Sequence, residues 1–127
     1  ILAKTLHRMQ SAYGTEGTDV IACIGPGISL DSFEVGDEVY EAFRTENFPM
    51  EYISVWKPET HKYHIDLWAA NRLQLSDFGV PSRQIENAGI CTYRQHEDFF
   101  SARRLGIKSG RILSGIMLNG QEKGERK

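Results

Sequence analysis

The chain has 127 residues, of which 40% are hydrophobic, enough to bury one sizeable core and too few for two ordinary domains. Its 15 basic and 17 acidic residues give a formal net charge of -2, so no long-range field attracts nucleic acid or an anionic membrane. No apolar run approaches the roughly 18 residues of a membrane span. We therefore expect a single domain with neither nucleic acid nor membrane as a partner.

The first residues predict a helix that ends at Gly14, a typical C-cap. Apolar side chains recur there at helical spacing, at Ile1, Leu2, Leu6, Met9 and Tyr13. Because neither an initiator Met nor a capping residue precedes Ile1, we expect the chain to start inside a helix of a longer protein.

A strand and a second helix are predicted next, joined by a Gly-Pro-Gly turn at residues 25–27. Residues 19–24 form a short apolar run, typical of a strand buried on both faces. After the turn, Asp31 and Glu34 have the spacing of a capping box, so we expect the helix to begin at Asp31 or Ser32 and to end near residues 44–47. Its apolar positions would be Val35, Val39, Ala42 and Phe43.

The second half of the chain mixes strands and helices. Residues 52–56 and 61–65 alternate between apolar and polar around a turn, which predicts a β-hairpin. Residues 66–78 have helical spacing and are followed by Gly79. Further strands are predicted around residues 89–92 and over residues 111–118, and the charged tail, residues 119–127, is predicted to be disordered. The interleaved elements indicate the α+β class, with a mixed β-sheet and helices packed on it.

The Gly-Pro-Gly turn is first a candidate phosphate loop. A dinucleotide-binding fingerprint needs a third glycine where Leu30 stands, and no Gly-Lys-Ser/Thr sequence follows. The acidic side chains after the turn would also repel a phosphate at the helix N-terminus. The sequence favours a turn that sets the angle between a strand and a helix.

Two other clusters are candidate sites. His61, His64 and Asp66 are metal-ligand types, but on a strand the two histidines would point to opposite faces. Cys91 and His96 are a conceivable nucleophile and base, although no third group orients them. Cys91 is therefore expected to be a buried core cysteine. The chain has only one other cysteine, Cys23, and two cysteines so far apart indicate no disulfide framework, which favours a cytoplasmic location.

The strongest local signal lies in residues 92–111. Basic side chains there outnumber Glu97 and Asp98. They are Arg94, Arg103, Arg104, Lys108 and Arg111. The sequence Phe99-Phe100-Ser101 precedes the Arg pair, and guanidinium groups beside aromatic rings suit a small anionic or nucleoside ligand. The alternative is an ordinary solvated basic face.

Five motifs in order resemble the YfiH family, also called laccase-domain or polyphenol oxidoreductase proteins. The motifs are IGPGI at 24–28, FEVGDEV at 33–39, DLWAAN at 66–71, CT at 91–92, and FFSxRR at 99–104 with GR at 110–111. The resemblance covers residues 1–118 and implies that they form the C-terminal half of a layered α+β domain. It also implies a zinc or copper site whose ligands lie upstream of residue 1, so that this chain holds none of them.

The resemblance implies a metal-dependent enzyme that phosphorolyses adenosine or inosine, deaminates adenosine, or oxidises phenols. Its partners would be the small-molecule substrate and the N-terminal half of the same domain. From residue chemistry we expect Ser101, Arg103 and Arg104 to face the substrate, with Phe99 or Phe100 stacking on it; no catalytic residue is assigned. The alternative is a non-catalytic domain that binds a small ligand or a partner.

Overall fold

The computed structural model describes residues 1–120; most of the predicted disordered tail, residues 121–127, lies outside the described residues. The elements follow in the order α1 (Leu2–Tyr13), β1 (Ala22–Ile24), β2 (Glu34–Val35), α2 (Asp37–Thr45), α3 (Met50–Ile53), β3 (Ser54–Lys57), β4 (Lys62–Ile65), α4 (Leu67–Phe78), β5 (Ile85–Asn87) and α5 (Ala102–Leu105). None of the helices in this part of the chain is long and apolar enough to cross a membrane.

The two long helices, α1 and α4, form where local signals predicted them. Gly14 takes a left-handed conformation at the end of α1, and its N–H donates to the carbonyl of Gln10 over 2.9 Å. Asp66 caps the start of α4, where its Oδ1 accepts from the N–H of Ala69 over 3.0 Å. Gly79 ends α4 with a φ of 102°. Both predicted helices are thus confirmed, because the stop signal of each helix and the start signal of α4 lie within one turn of the helix end.

The strands form one parallel pair and one antiparallel sheet. β1 pairs with β5 in parallel, with Ala22 opposite Ile85. β4 lies between β2 and β3 and is antiparallel to both, and the predicted hairpin is the β3–β4 pair. The α+β class is confirmed.

Two apolar clusters, both containing side chains of α4, form the core. One surrounds Ile53 and Ile65, which are 0% exposed, and includes Val35, Met50 and Ala70. The other joins α1 to α4 and β5. Its buried members are Leu6, Leu75, Val80 and Ile85.

The predicted capping box is wrong. Glu34 and Val35 form β2, opposite His64 and Tyr63 of β4, and α2 begins at Asp37 after the N-cap residue Gly36. Pairing with β4 buries Val35 in the core, a non-local gain that outweighs the local capping signal. The end of α2 at Thr45 agrees with the prediction.

Four strand predictions need correction. Residues 52–53 belong to α3, and the strand expected around residues 89–92 lies instead at β5. Residues 111–118 have no regular structure, and most of their apolar side chains are exposed. The strand expected to be buried on both faces, β1, packs Ala22 and Ile24 against a core cluster but exposes Cys23, which points to the opposite face.

Candidate functional site

A groove of about 410 Å³ lies where the Gly-Pro-Gly loop meets the start of α5. Its lining comes from five parts of the chain: residues 26–28, Phe33, Thr92, residues 100–103 and residues 111–112. The fold thus joins the first motif of the sequence to the basic, aromatic segment that follows it by more than 60 residues.

The Gly-Pro-Gly loop is held by backbone hydrogen bonds to the chain that follows β5. The N–H of Gly27 donates to the carbonyl of Ile90 over 3.1 Å, and the N–H of Thr92 donates to the carbonyl of Gly27 over 3.2 Å. These two bonds extend the parallel β1–β5 pairing into the groove wall. Because the Gly27 N–H is already engaged, it is not available to a phosphate. The loop leads from β1 to the strand β2 and not directly to a helix, as the sequence had favoured.

Ser101 and Phe100 reach the groove from the start of α5. Ser101 is buried and is the N-cap of α5, where its Oγ accepts from the N–H of Arg104 over 3.3 Å. The Phe100 ring is half exposed and packs against Gly110, where a Cβ would come within 2.8 Å of the ring. Phe99 is partly buried and does not line the groove.

Arg103 bridges the two sides of the groove. Its Nη1 donates to the carbonyl of Glu34 over 2.8 Å, and its guanidinium carbon lies 5.2 Å from the centre of the Phe33 ring. These contacts use one N–H donor and fix the guanidinium plane, so the remaining donors are pre-oriented. Arg104 instead lies 4.9 Å above the Tyr93 ring, outside the groove lining.

Sequence reasoning missed two groove residues. Phe33 was named only as the first residue of the FEVGDEV motif and not as a ligand contact, and its place beside Arg103 in the groove is a tertiary contact. Arg111 was counted in the basic segment but was not singled out. Its Nη1 donates to the carbonyls of Ser109 and Gly110, over 2.5 and 3.2 Å, and its side chain lines the groove.

Cys91 is buried next to the groove, as expected for a core cysteine. Its Sγ accepts from the N–H of Ser29 over 3.3 Å and lies 3.7 Å from Ser32 Oγ. Burial raises the pKa of the thiol, but hydrogen bonds from Ser29, the backbone of Arg94 and Ser32 together outweigh it and lower the pKa to about 7. Within residues 1–120, His96 forms no hydrogen bond with Cys91, so the two are not paired as nucleophile and base.

The three residues weighed as metal ligands have separate contacts. His61 is not on a strand but in the hairpin turn, with a φ of 54°, and its ring contacts Trp56 edge-on. His64 Nδ1 lies 2.9 Å from the carbonyl of Leu30, and Asp66 caps α4. No group of three or more His, Cys, Asp or Glu side chains in the described residues could hold a metal ion.

Comparisons with known proteins agree with the motifs. A family model described as multi-copper polyphenol oxidoreductase laccase matches residues 1–119. The chain is 66% identical over 119 residues to a purine nucleoside phosphorylase of Bacteroides thetaiotaomicron, covering 94% of this chain and 44% of the relative. It is 46% identical over 115 residues to adenosine deaminase RL5 of an unknown prokaryotic organism, covering 91% of this chain and 44% of the relative.

Solved structures share the fold. The hypothetical protein YfiH of Bacillus licheniformis matches with a TM-score of 0.74 at 30% identity, over 82% of this chain and 39% of that one. YlmD of Geobacillus stearothermophilus matches with a TM-score of 0.70 at 33% identity, over 82% of this chain and 38% of that one. The chain thus spans less than half the length of these relatives.

Proposed function

Since the chain belongs to the YfiH family of multi-copper polyphenol oxidoreductase laccase proteins, we propose that it is the C-terminal half of an enzyme acting on purine nucleosides. The observation that carries the proposal is the 66% identity over 119 residues to a purine nucleoside phosphorylase. The relative at 46% identity has a different named activity, adenosine deaminase, but adenosine is also a purine nucleoside. We therefore propose phosphorolysis of inosine or adenosine as the main reaction, with deamination of adenosine as a second activity of the same site.

The groove supports this substrate class. The rings of Phe33 and Phe100 provide aromatic surface for a purine base. The guanidinium groups of Arg103 and Arg111 can form charge-assisted hydrogen bonds with a phosphate. In phosphorolysis a phosphate oxygen forms a bond to the anomeric carbon of the ribose as the bond to the purine nitrogen breaks. Fixed positive charge near that phosphate orients it and stabilises charge in the transition state.

The five residues predicted to face the substrate have different proposed roles. Phe100 and Arg103 contact the ligand, and Ser101 holds the start of α5 through its capping bond. Phe99 and Arg104 lie outside the groove lining, so neither is proposed to contact the ligand.

We place the ligands of a zinc or copper ion upstream of residue 1 and assign no residue of this chain to them. A bound metal would supply an activated water for deamination or a redox centre for phenol oxidation. We also propose a cytoplasmic location, because Cys23 and Cys91 are both free cysteines and not a disulfide pair.

The N-terminal half of the same domain is the proposed partner. The surface of this chain that would contact the N-terminal half includes the exposed apolar side chains after α5, such as Leu113, which is 98% exposed, and Met117. Apolar surface of this kind is typical of an interface. β1, with β5 as its only paired strand among the described residues, offers a second contact region.

The test compares the 127-residue chain with a fused protein, in which the chain is joined to the part of the Bacteroides thetaiotaomicron relative that it does not match. Inosine phosphorolysis, adenosine deamination and catechol oxidation are assayed for both proteins, together with their metal content. We expect purine turnover and bound metal only in the fused protein. Catechol oxidation without purine turnover would refute the substrate class, and nucleoside binding without turnover would support the non-catalytic alternative. Tight zinc binding by the 127-residue chain alone would contradict the placement of the ligands.

A further inference from the structure

A second cavity, of about 360 Å³, lies at the opposite end of α4 from its capping residue Asp66 and shares no lining residue with the groove. We call it the helix-end cavity. It is bounded by the first half of α1, the last turns of α4 and residues 46–49, which follow α2. Its volume lies within the usual range of small-molecule sites, roughly 300–1,000 Å³.

The inner surface of the helix-end cavity is apolar and aromatic. Leu6, Phe48, Leu73 and Phe78 line it, and the His7 ring packs edge-on against Phe78, with ring centres 5.9 Å apart. Leu6 and Phe78 belong to the core cluster that joins α1 to α4, so this surface is fixed by core packing.

The wall after α2 is also pre-formed. The N–H of Asn47 donates to the carbonyl of Arg44 over 3.0 Å, and the N–H of Phe48 donates to the carbonyl of Phe43 over 3.3 Å. Asn47 has a φ of 69°, in the left-handed region that few residue types other than glycine tolerate. A bound ligand would therefore meet this wall in its final shape, at little cost in ordering.

The rim of the cavity carries uncompensated negative charge. Glu46 is the C-cap of α2 and Asp77 lies in the last turn of α4, so both carboxylates stand where a helix already carries partial negative charge. The last turn of α4 contains no basic residue, and Arg44 of α2 is paired with Glu41 over 2.6 Å. No Lys or Arg side chain lines the cavity.

The other polar side chains at the rim accept or donate hydrogen bonds. They are His7, Asn47 and Gln74. Within residues 1–120, neither these three side chains nor the two carboxylates form a hydrogen bond or ion pair with another protein group. Two carboxylates and further hydrogen-bond acceptors suit an ammonium group, and the apolar surface beside them suits the organic body that carries it.

We propose that the helix-end cavity binds an organic cation: an amine whose aromatic or aliphatic body packs on Phe48, Phe78 and Leu73 while its ammonium group meets Glu46 and Asp77. The cation relieves the like charge at the two helix ends, and its apolar body covers the exposed part of the cavity surface. Binding stabilises the contact of α1 with α4 and with the chain after α2.

The probe is tryptamine, and its matched control is indole-3-acetate, which has the same ring and the opposite charge. Both are titrated calorimetrically into the full 127-residue chain and into the fused protein. We expect tryptamine to bind to both proteins and indole-3-acetate to bind at least about tenfold more weakly, from two partly solvated charge contacts. The double variant Glu46→Gln with Asp77→Asn should weaken tryptamine binding by about tenfold.

Two further variants separate the site from general effects of charge and fold. Glu59→Gln removes one negative charge from the exposed hairpin turn, away from the cavity, and should leave tryptamine binding unchanged. Ala3→Trp fills the cavity from α1 without changing charge and should abolish binding. The melting temperature of each variant without ligand checks that it folds, and inosine turnover of each variant in the fused protein checks that the groove is unaffected.

Three results would overturn the proposal. They are equal binding of tryptamine and indole-3-acetate, unchanged tryptamine binding in the folded double variant, and binding that disappears in the fused protein. The last result would mean that another part of the protein covers the cavity. Because the cavity and the groove share no lining residue, each of these outcomes leaves the proposed purine nucleoside activity to be judged separately by its own assay.

Discussion

Replacing Cys91 with alanine should reduce the pH dependence of the free energy of unfolding between about pH 7 and pH 9. The Cys91 thiol is buried, and its hydrogen bonds to Ser29 and Ser32 favour the thiolate in the folded protein. Its pKa falls from an ordinary value of 9.0 to about 7. The unfolded chain therefore binds more protons than the folded protein in this range, so stability rises with pH.

The pKa difference sets the size of the effect. At 1.36 kcal/mol per pKa unit, a fall from 9.0 to about 7 corresponds to about 2.7 kcal/mol. This contribution is fully present above pH 9 and is lost as the pH falls through the folded-state pKa near 7. Removing the thiol also removes buried contacts, but that loss does not depend on pH.

The assay is urea unfolding of the parent protein and the Cys91→Ala variant at about pH 6 and about pH 9.5. Both proteins carry Cys23→Ser, because Cys23 is exposed and would otherwise titrate or oxidise on its own. The stability difference between the two proteins should be larger at the higher pH by about 2.5 kcal/mol. A difference that is the same at both pH values would show that the hydrogen bonds do not stabilise the thiolate, and the reasoning would fail.

Three further predictions test the groove and the core. Arg103→Ala should lower kcat/KM for inosine in the fused protein by about 10- to 100-fold, the cost of a lost charged hydrogen bond. Arg104 lies outside the groove lining, so Arg104→Ala should change kcat/KM by less than about threefold. Equal losses in the two variants would refute the assignment of Arg103, and not Arg104, to the groove. Gly17→Ala should destabilise the protein by about 1–3 kcal/mol in urea unfolding, because its Cβ would meet backbone at the end of α4; Gly115→Ala, with nothing within 4 Å, is the control and should cost less than about 0.5 kcal/mol. Ile65→Val should cost about 1 kcal/mol in the same assay, since Ile65 is fully buried, and a neutral result would contradict the assigned core.

The groove shows how far residue chemistry alone could lead. Residue types and spacing identified the basic, aromatic segment, and Phe100, Ser101 and Arg103 do line one groove. The same reasoning could not separate Arg103 from Arg104, because adjacent residues on a short helix point in different directions. Only the tertiary contacts, with Glu34 and Phe33 for one and Tyr93 for the other, distinguish them.

The sequence by itself determined α1, α4 and the β3–β4 hairpin, because helix caps and hairpin turns are signals exchanged between residues a few positions apart. Its ordered motifs also determined the family. Only the tertiary structure decided that Glu34 and Val35 form a strand, because their pairing with β4 replaced a plausible helix start. It also decided that residues 111–118 form no strand, because their apolar pattern lacks a partner strand among the described residues. Strand pairing depends on which distant segment is available, and the apolar pattern within one segment does not show which other segment will pair with it.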